Sequence, residues 1–148
     1  MARSNRNSEF AERINWPLSL WAFAGVMVVS IFLTFWAPFN FTVALTITAI
    51  LIAALIYAHQ KTRLDIVVIN GWLYVAGAKI EIKYIKGVKE LSKSQFLKLQ
   101  GADADPAAFT ATRYWVKTGV KVELKDKSDP TPYWLISTRK AKALANCL

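Results

Sequence analysis

INWPLSLWAFAGVMVVSIFLTFWAPFNFTVALTITAILIAALIYA, residues 14–58, contains no Asp, Glu, Lys or Arg. Trp16 and Trp21 mark its start, Trp36 and Phe39 its middle, and Tyr57 its end, while Pro38, Phe39 and Asn40 break it in two. The first run, Leu18–Trp36, has 19 residues, and Phe41–Tyr57 has 17. At about 1.5 Å per residue, 19 residues cover about 28 Å, close to a hydrocarbon core of about 30 Å. The second run reaches that length when Phe39 and Ala58 are included. Lipid offers the backbone no hydrogen-bond partner, so uncharged runs of this length favour helices. The β-branched residues Val28, Val29, Ile31, Thr46, Ile47 and Thr48 suit such a helix better than a water-soluble one. Tryptophan and tyrosine combine an apolar body with a polar edge, which places them at the headgroup layer. The reading is a transmembrane hairpin over 18–58, with helices at about 18–36 and 39–58. A soluble hairpin would keep a charged face, and none exists. A cleaved signal sequence fits less well: the first run is long, Glu9 and Glu12 precede it, and no small-x-small site follows.

Basic residues set the expected orientation. Arg3, Arg6 and Arg13 precede the first run, Lys61 and Arg63 follow the second, and the short loop carries no charge. Both termini are therefore expected in the cytoplasm, with a multi-pass protein in the cell's inner membrane. The net charge is +9, and residues 59–148 hold sixteen Lys or Arg against eight Asp or Glu. That surplus predicts attraction to anionic lipid headgroups of the bilayer. No nucleic-acid motif accompanies it, so nucleic acid is not an expected partner.

Residues 1–17 read as a cytoplasmic tail with an interfacial lead-in. Phe10 and Ile14 lie four apart, which predicts a surface helix over Glu9–Asn15. Beyond the hairpin the hydrophobic period becomes two. Leu64–Ile69 and Trp72–Val75 flank Asn70-Gly71, the signature of a type I′ hairpin turn. Ala76-Gly77-Ala78 predicts a second turn, Lys79–Lys83 a third strand, and Ile85–Leu91 a fourth, irregular at Gly87. Ser92–Gln100 reads as a short helix ended by Gly101, and Phe109–Lys117 as an extended or irregular piece. Thr118–Leu124 and Tyr133–Ser137 are expected to pair as strands across an Asp126–Pro132 turn. Thr138 is expected to cap a last helix, Arg139–Leu148, with Ala141, Leu144, Ala145 and Leu148 on its apolar stripe. The fold class is thus α+β: a two-helix hairpin, then a small antiparallel β domain over 59–148 closed by a C-terminal helix. Two groups of strands plus a helix suggest a barrel or split sandwich of the pleckstrin-homology-like kind.

The string Asp129-Pro130-Thr131-Pro132-Tyr133-Trp134-Leu135-Ile136-Ser137-Thr138-Arg139 carries a resemblance. So do Phe10-Ala11-Glu12-Arg13, Asp105-Pro106-Ala107-Ala108-Phe109, Arg113-Tyr114-Trp115-Val116 and Val120-Lys121-Val122-Glu123. With the two apolar runs they resemble actinobacterial membrane proteins grouped as domain-of-unknown-function family 3093 (DUF3093). The resemblance covers nearly the whole chain after the tail and departs at Ala141, where a proline is expected. It implies a two-helix anchor and a cytoplasmic β domain, and no reaction or cofactor.

No catalytic constellation emerges. The chain has one histidine and one cysteine, His59 and Cys147, too few for a zinc site or a histidine triad. Asp103, Asp105, Asp126 and Asp129 stand in proline-containing loops, where Asp caps turns. Thr42 and Thr46 share a helix face and are candidates for hydrogen bonds between helices. The candidate anion- or partner-binding residues are Arg113, Trp115, Tyr133 and Arg139, two guanidinium groups with aromatic walls. The alternative for them is architectural: Trp134 in the core, Tyr133 on the other face, and Arg139 paired with Asp129 or a strand-end carbonyl. The expected function is non-enzymatic, either a binding or scaffolding module at the membrane surface or an accessory subunit of a membrane-protein partner. An enzyme acting on an anionic membrane substrate is the second class. No metal or cofactor is expected.

Overall fold

The computed structural model describes residues 10–125 and 130–148. The chain divides into two compact units, residues 15–63 and residues 1–14 with 64–148.

The first unit is a helical hairpin. Pro17, whose ring fixes φ, opens α1 (Leu18–Trp36). Asn40 opens α2 (Phe41–Thr62), its side chain accepting the Val43 N–H at 2.9 Å. The break therefore falls where Pro38–Asn40 predicts it, but α2 runs a full turn beyond Ala58. Both helices are long and apolar enough to cross a membrane. Their residue sorting is inside-out. The buried positions are Ala24, Ala44 and Thr48, whereas Phe23, Val26, Leu45 and Ile50 are exposed. Small side chains let two helix backbones approach closely when water does not drive the large ones inward. The hydroxyls of Ser30, Thr34 and Thr46 donate to Val26, Ser30 and Thr42 carbonyls of their own helices at 2.8–2.9 Å. Thr46 thus satisfies itself within α2 rather than across the pair.

The second unit is a β sandwich. Its first strand, β1 (Phe10–Ile14), precedes the hairpin. The surface helix expected over Glu9–Asn15 is not there. A spacing of four fits one helical turn and two strand repeats equally well, and pairing with the next strand decides for the strand. After the hairpin come β2 (Leu64–Ile69), β3 (Trp72–Val75) and β4 (Ala78–Glu81). They form an antiparallel sheet in the order β1-β2-β3-β4. Asn70 (φ 51°) and Gly71 (φ 77°) make the first turn, Ala76 (φ 50°) and Gly77 (φ 85°) the second. Both pairs hold the left-handed conformation that a two-residue turn needs.

A 3₁₀ turn at Ile82–Tyr84 leads into the second sheet. It contains β5 (Ile85–Leu91), β6 (Phe109–Ala111), β7 (Gly119–Leu124) and β8 (Tyr133–Ser137), in the order β5-β7-β8-β6. β5 is irregular between Ile85 and Gly87, and β6 joins β8 in parallel. Between β5 and β6 lies α3 (Lys93–Gln100), opened by a capping box of Ser92 and Gln95. The chain ends in α4 (Ala141–Cys147), which packs against β1, β5 and β7. The tail Met1–Ser8 and most of the Asp126–Pro132 turn lie outside the described residues.

Period two sorts the core. Leu64, Ile66, Leu73 and Val75 of one sheet meet Val120, Val122, Trp134 and Ile136 of the other, with Leu144 of α4. A second cluster lies on the outer face of the second sheet, where α3 sets Phe96 against Leu91, Tyr133 and Leu135. Central β8 is therefore buried on both faces along its whole length. Gly119 makes the α3 seat possible: a Cβ there would stand 2.2 Å from the Ile136 carbonyl oxygen and 2.4 Å from the Phe96 ring.

Candidate functional site

The residues of interest hang on β8 and on the segment after β6. Alternation along β8 sends Tyr133 and Leu135 to the α3 side and Trp134 and Ile136 to the sandwich interior. Trp134 packs against Phe109, ring centroids 4.6 Å apart, across the parallel β6–β8 pair. Tyr133 is buried: its hydroxyl accepts the Asp105 N–H at 3.4 Å, and Lys121 Nζ lies 4.6 Å from its ring centre.

Arg113 and Trp115 follow β6. The Arg113 N–H donates to Ser137 Oγ at 2.9 Å and fixes this segment to the end of β8. The Arg113 guanidinium turns back on the Thr112 carbonyl at 2.8 Å. Its partial burial holds the pKa below the ordinary arginine value. Trp115 packs against the sandwich core and meets Tyr114 edge-on at 4.8 Å, and its indole N–H is buried without a partner. Tyr133 and Trp115 thus belong to different apolar clusters, on the two sides of the second sheet. The structure brings Arg113 and Ser137 together through the backbone. Arg139 is exposed just beyond, and Asp129, its expected partner, lies outside the described residues.

A polar junction forms around Thr138. Glu12 of β1 accepts the Thr138 hydroxyl proton with one carboxylate oxygen and the Arg139 N–H, at 3.0 Å, with the other. The Thr138 hydroxyl also accepts the Lys140 N–H at 3.0 Å. Its backbone N–H donates to the Thr118 carbonyl at 3.1 Å, and its carbonyl accepts the Thr118 hydroxyl at 2.8 Å. Thr138 is fully buried. It does not cap the last helix, which begins at Ala141 with Lys140 as an N-cap that makes no side-chain bond; it orders the turn before α4 through Glu12 and Lys140. Sequence reading missed Glu12: its partners stand 126 and 127 positions away. The signal was the Phe10-Ala11-Glu12-Arg13 string. Phe10 enters the core, Glu12 holds Thr138, and Arg13 pairs with Asp65 at 2.7 Å.

At the end of the hairpin unit, His59 sits in the last turn of α2 beside two indoles. The ring centres lie 5.3 Å from Trp16 and 5.1 Å from Trp21, and Nδ1 is buried without a partner. Trp16 Nε1 donates to Thr62 Oγ1 at 2.7 Å and ties the start of the hairpin to its finish. Among the described residues, no three His, Cys, Asp or Glu side chains converge as a metal site.

No curated protein and no solved structure matches the chain. A family model does, that of a protein of unknown function, over residues 9–148. Both strings that meet at Thr138 fall within that span, and the chain belongs to the family DUF3093.

Proposed function

We propose that the chain is a multi-pass protein of the cell's inner membrane, whose hairpin spans the bilayer and whose β unit is a cytoplasmic, non-enzymatic binding or scaffolding module. The observation that carries the membrane reading is the inside-out hairpin, with alanines buried and Phe23, Val26, Leu45 and Ile50 outside. Water expels such side chains, whereas lipid solvates them. The arginine of β1 and the basic residues after α2 support a cytoplasmic β unit. Two four-stranded sheets sharing a core, with a C-terminal helix packed on them, support kinship with pleckstrin-homology-like barrels. The strand placed before the hairpin and the parallel β6 depart from the plainest form of that fold. Three residues, Asn15–Pro17, join β1 to α1 and one, Arg63, joins α2 to β2, so a hairpin in the bilayer tethers the module to the membrane. Tethering raises effective concentration, so weak surface contacts suffice.

The experiment is crosslinking in native membranes followed by gentle solubilisation and pull-down, with carbonate extraction alongside. Resistance to carbonate and one stoichiometric membrane-protein partner establish an accessory subunit. Resistance with only lipid recovered favours direct surface binding. Release by carbonate refutes the membrane reading.

A further inference from the structure

The two sheets differ in what covers them. The outer face of the second carries α3, seated on Gly119 through Phe96. Within the β unit, neither α3 nor α4 covers the outer face of the first: α3 lies against the second sheet, and Leu144 of α4 lies in the core between the sheets. The register places Ala11, Val67, Tyr74 and Lys79 in one row across all four strands, and Ile69, Trp72 and Glu81 in the next. Leu73 and Val75 point into the core, so Trp72 and Tyr74 point outward. Val67, Ile69 and Trp72 are half-buried, and Tyr74 is 41% exposed. Lys79 Nζ lies 5.4 Å from the Trp72 ring centre.

We propose that this face, centred on Val67, Ile69, Trp72 and Tyr74, docks on the headgroup layer of an anionic bilayer. The inference rests on the membrane reading above and deepens it by naming the surface. Area argues for lipid over protein. Strands about 4.8 Å apart and rows about 7 Å apart give an apolar patch on the order of 200 Å². A stable protein interface needs about 800 Å² on each partner. A tethered module needs far less, because the hairpin has already met the entropic cost of encounter. Chemistry argues the same way. Trp and Tyr are the side chains that favour the headgroup layer, and a lysine lying along an indole can extend its ammonium to phosphate. Arg13 is paired with Asp65 and Lys83 with Glu81, so Lys79 supplies the net charge of the face. Its preference for anionic lipid is therefore modest, and the basic surplus of the whole unit adds steering.

The test uses full-length protein in nanodiscs of phosphatidylcholine, with and without phosphatidylglycerol. In a Cys147→Ser background, a nitroxide is placed at Tyr74→Cys or, for comparison, at Ser94→Cys in α3. Accessibility to lipid-soluble oxygen is compared with that to an aqueous nickel chelate. The expected result is a several-fold higher oxygen preference at 74 than at 94, greater with phosphatidylglycerol. Adding Lys79→Glu should lower the docked-to-free ratio about 30-fold, one positive charge lost and one negative charge gained. Shielding at 94 instead of 74 overturns this face while leaving lipid binding by the module intact. Two aqueous labels overturn both this face and direct lipid binding. Shielding at 74 that persists in detergent and yields protein crosslinks assigns the face to a protein and overturns the proposal.

Discussion

Removing the Glu12 carboxylate should release α4. In Glu12→Ala two hydrogen bonds to a charged acceptor disappear, one from the buried Thr138 hydroxyl and one from the Arg139 N–H. Hydrogen bonds to charged groups contribute about 1.5–3 kcal/mol each where water cannot replace them. Arg139 is exposed, and water takes over much of its bond. Thr138 is fully buried, and its proton is left without an acceptor. The net cost is about 2–3 kcal/mol, placed at the turn that starts α4. At 1.4 kcal/mol per decade the open population rises about 30- to 140-fold. Hydrogen exchange of the full-length protein reads this directly. Amides of α4, including Leu144, whose N–H bonds the Lys140 carbonyl at 3.0 Å, should exchange faster by that factor. Amides of central β7 should change less, which separates local opening from global loss. Glu12→Gln keeps a carbonyl acceptor and should fall between the two. A double-mutant cycle with Thr138→Ala should show strong coupling. If α4 exchanges no faster in Glu12→Ala than in the parent, the junction contributes nothing and the reasoning fails.

Three further substitutions follow from the same geometry. Gly119→Ala forces the Ile136 backbone or Phe96 to move and should destabilise the β unit by about 1–3 kcal/mol, seen as a lower melting temperature. Gly77→Ala should lose about 1 kcal/mol because its φ of 85° disfavours a Cβ, whereas Ala76→Gly should gain slightly at φ 50° in the same thermal assay. Arg13→Ala removes an ion pair whose side chains are 60% and 40% exposed, and denaturation should shift by less than about 1 kcal/mol.

What could be read in the sequence was whatever is encoded locally. The hairpin break, both two-residue turns, the irregular Gly87 and the helix after Ser92 each depend on neighbours within a few positions. Asn70-Gly71 states its turn type outright, and Ser92-x-x-Gln95 states a helix start. The losses came where partners are distant or where two periods coincide. Phe10 and Ile14 satisfy helix and strand alike, and only the β2 register, Phe10 with Val68 and Ile14 with Leu64, selects one. Glu12 finds its partners at the opposite end of the chain. The parallel β6–β8 pairing leaves no turn signature, because no tight turn makes it. Of the candidate site, Trp134 in the core follows from strand alternation. The separation of Tyr133 from Trp115 depends on α3 covering one face, which no local pattern encodes.

The placement of β1 makes a sharper demand on the chain. Its five residues close the first sheet, set Phe10 and Ile14 into the core and bring Glu12 to Thr138. Two large buried apolar side chains contribute about 1.5–3 kcal/mol each. With the Glu12 bonds that is a large share of the 5–15 kcal/mol that about a hundred residues usually hold. Residues 64–148 alone should therefore be insoluble or unfolded, with the β2 edge open to pairing with other chains. Joining Ile14 to Leu64 through a short glycine-containing loop should restore a soluble, cooperative β unit, because these two residues already stand opposite each other in the ladder. Circular dichroism melting and sedimentation of the two chains provide the comparison. A sharp, monomeric transition for 64–148 without β1 would mean that the strand merely decorates the sheet. Rescue by β1 would mean that the hairpin interrupts one folding unit, so the β unit cannot fold fully until the chain beyond the hairpin has been made.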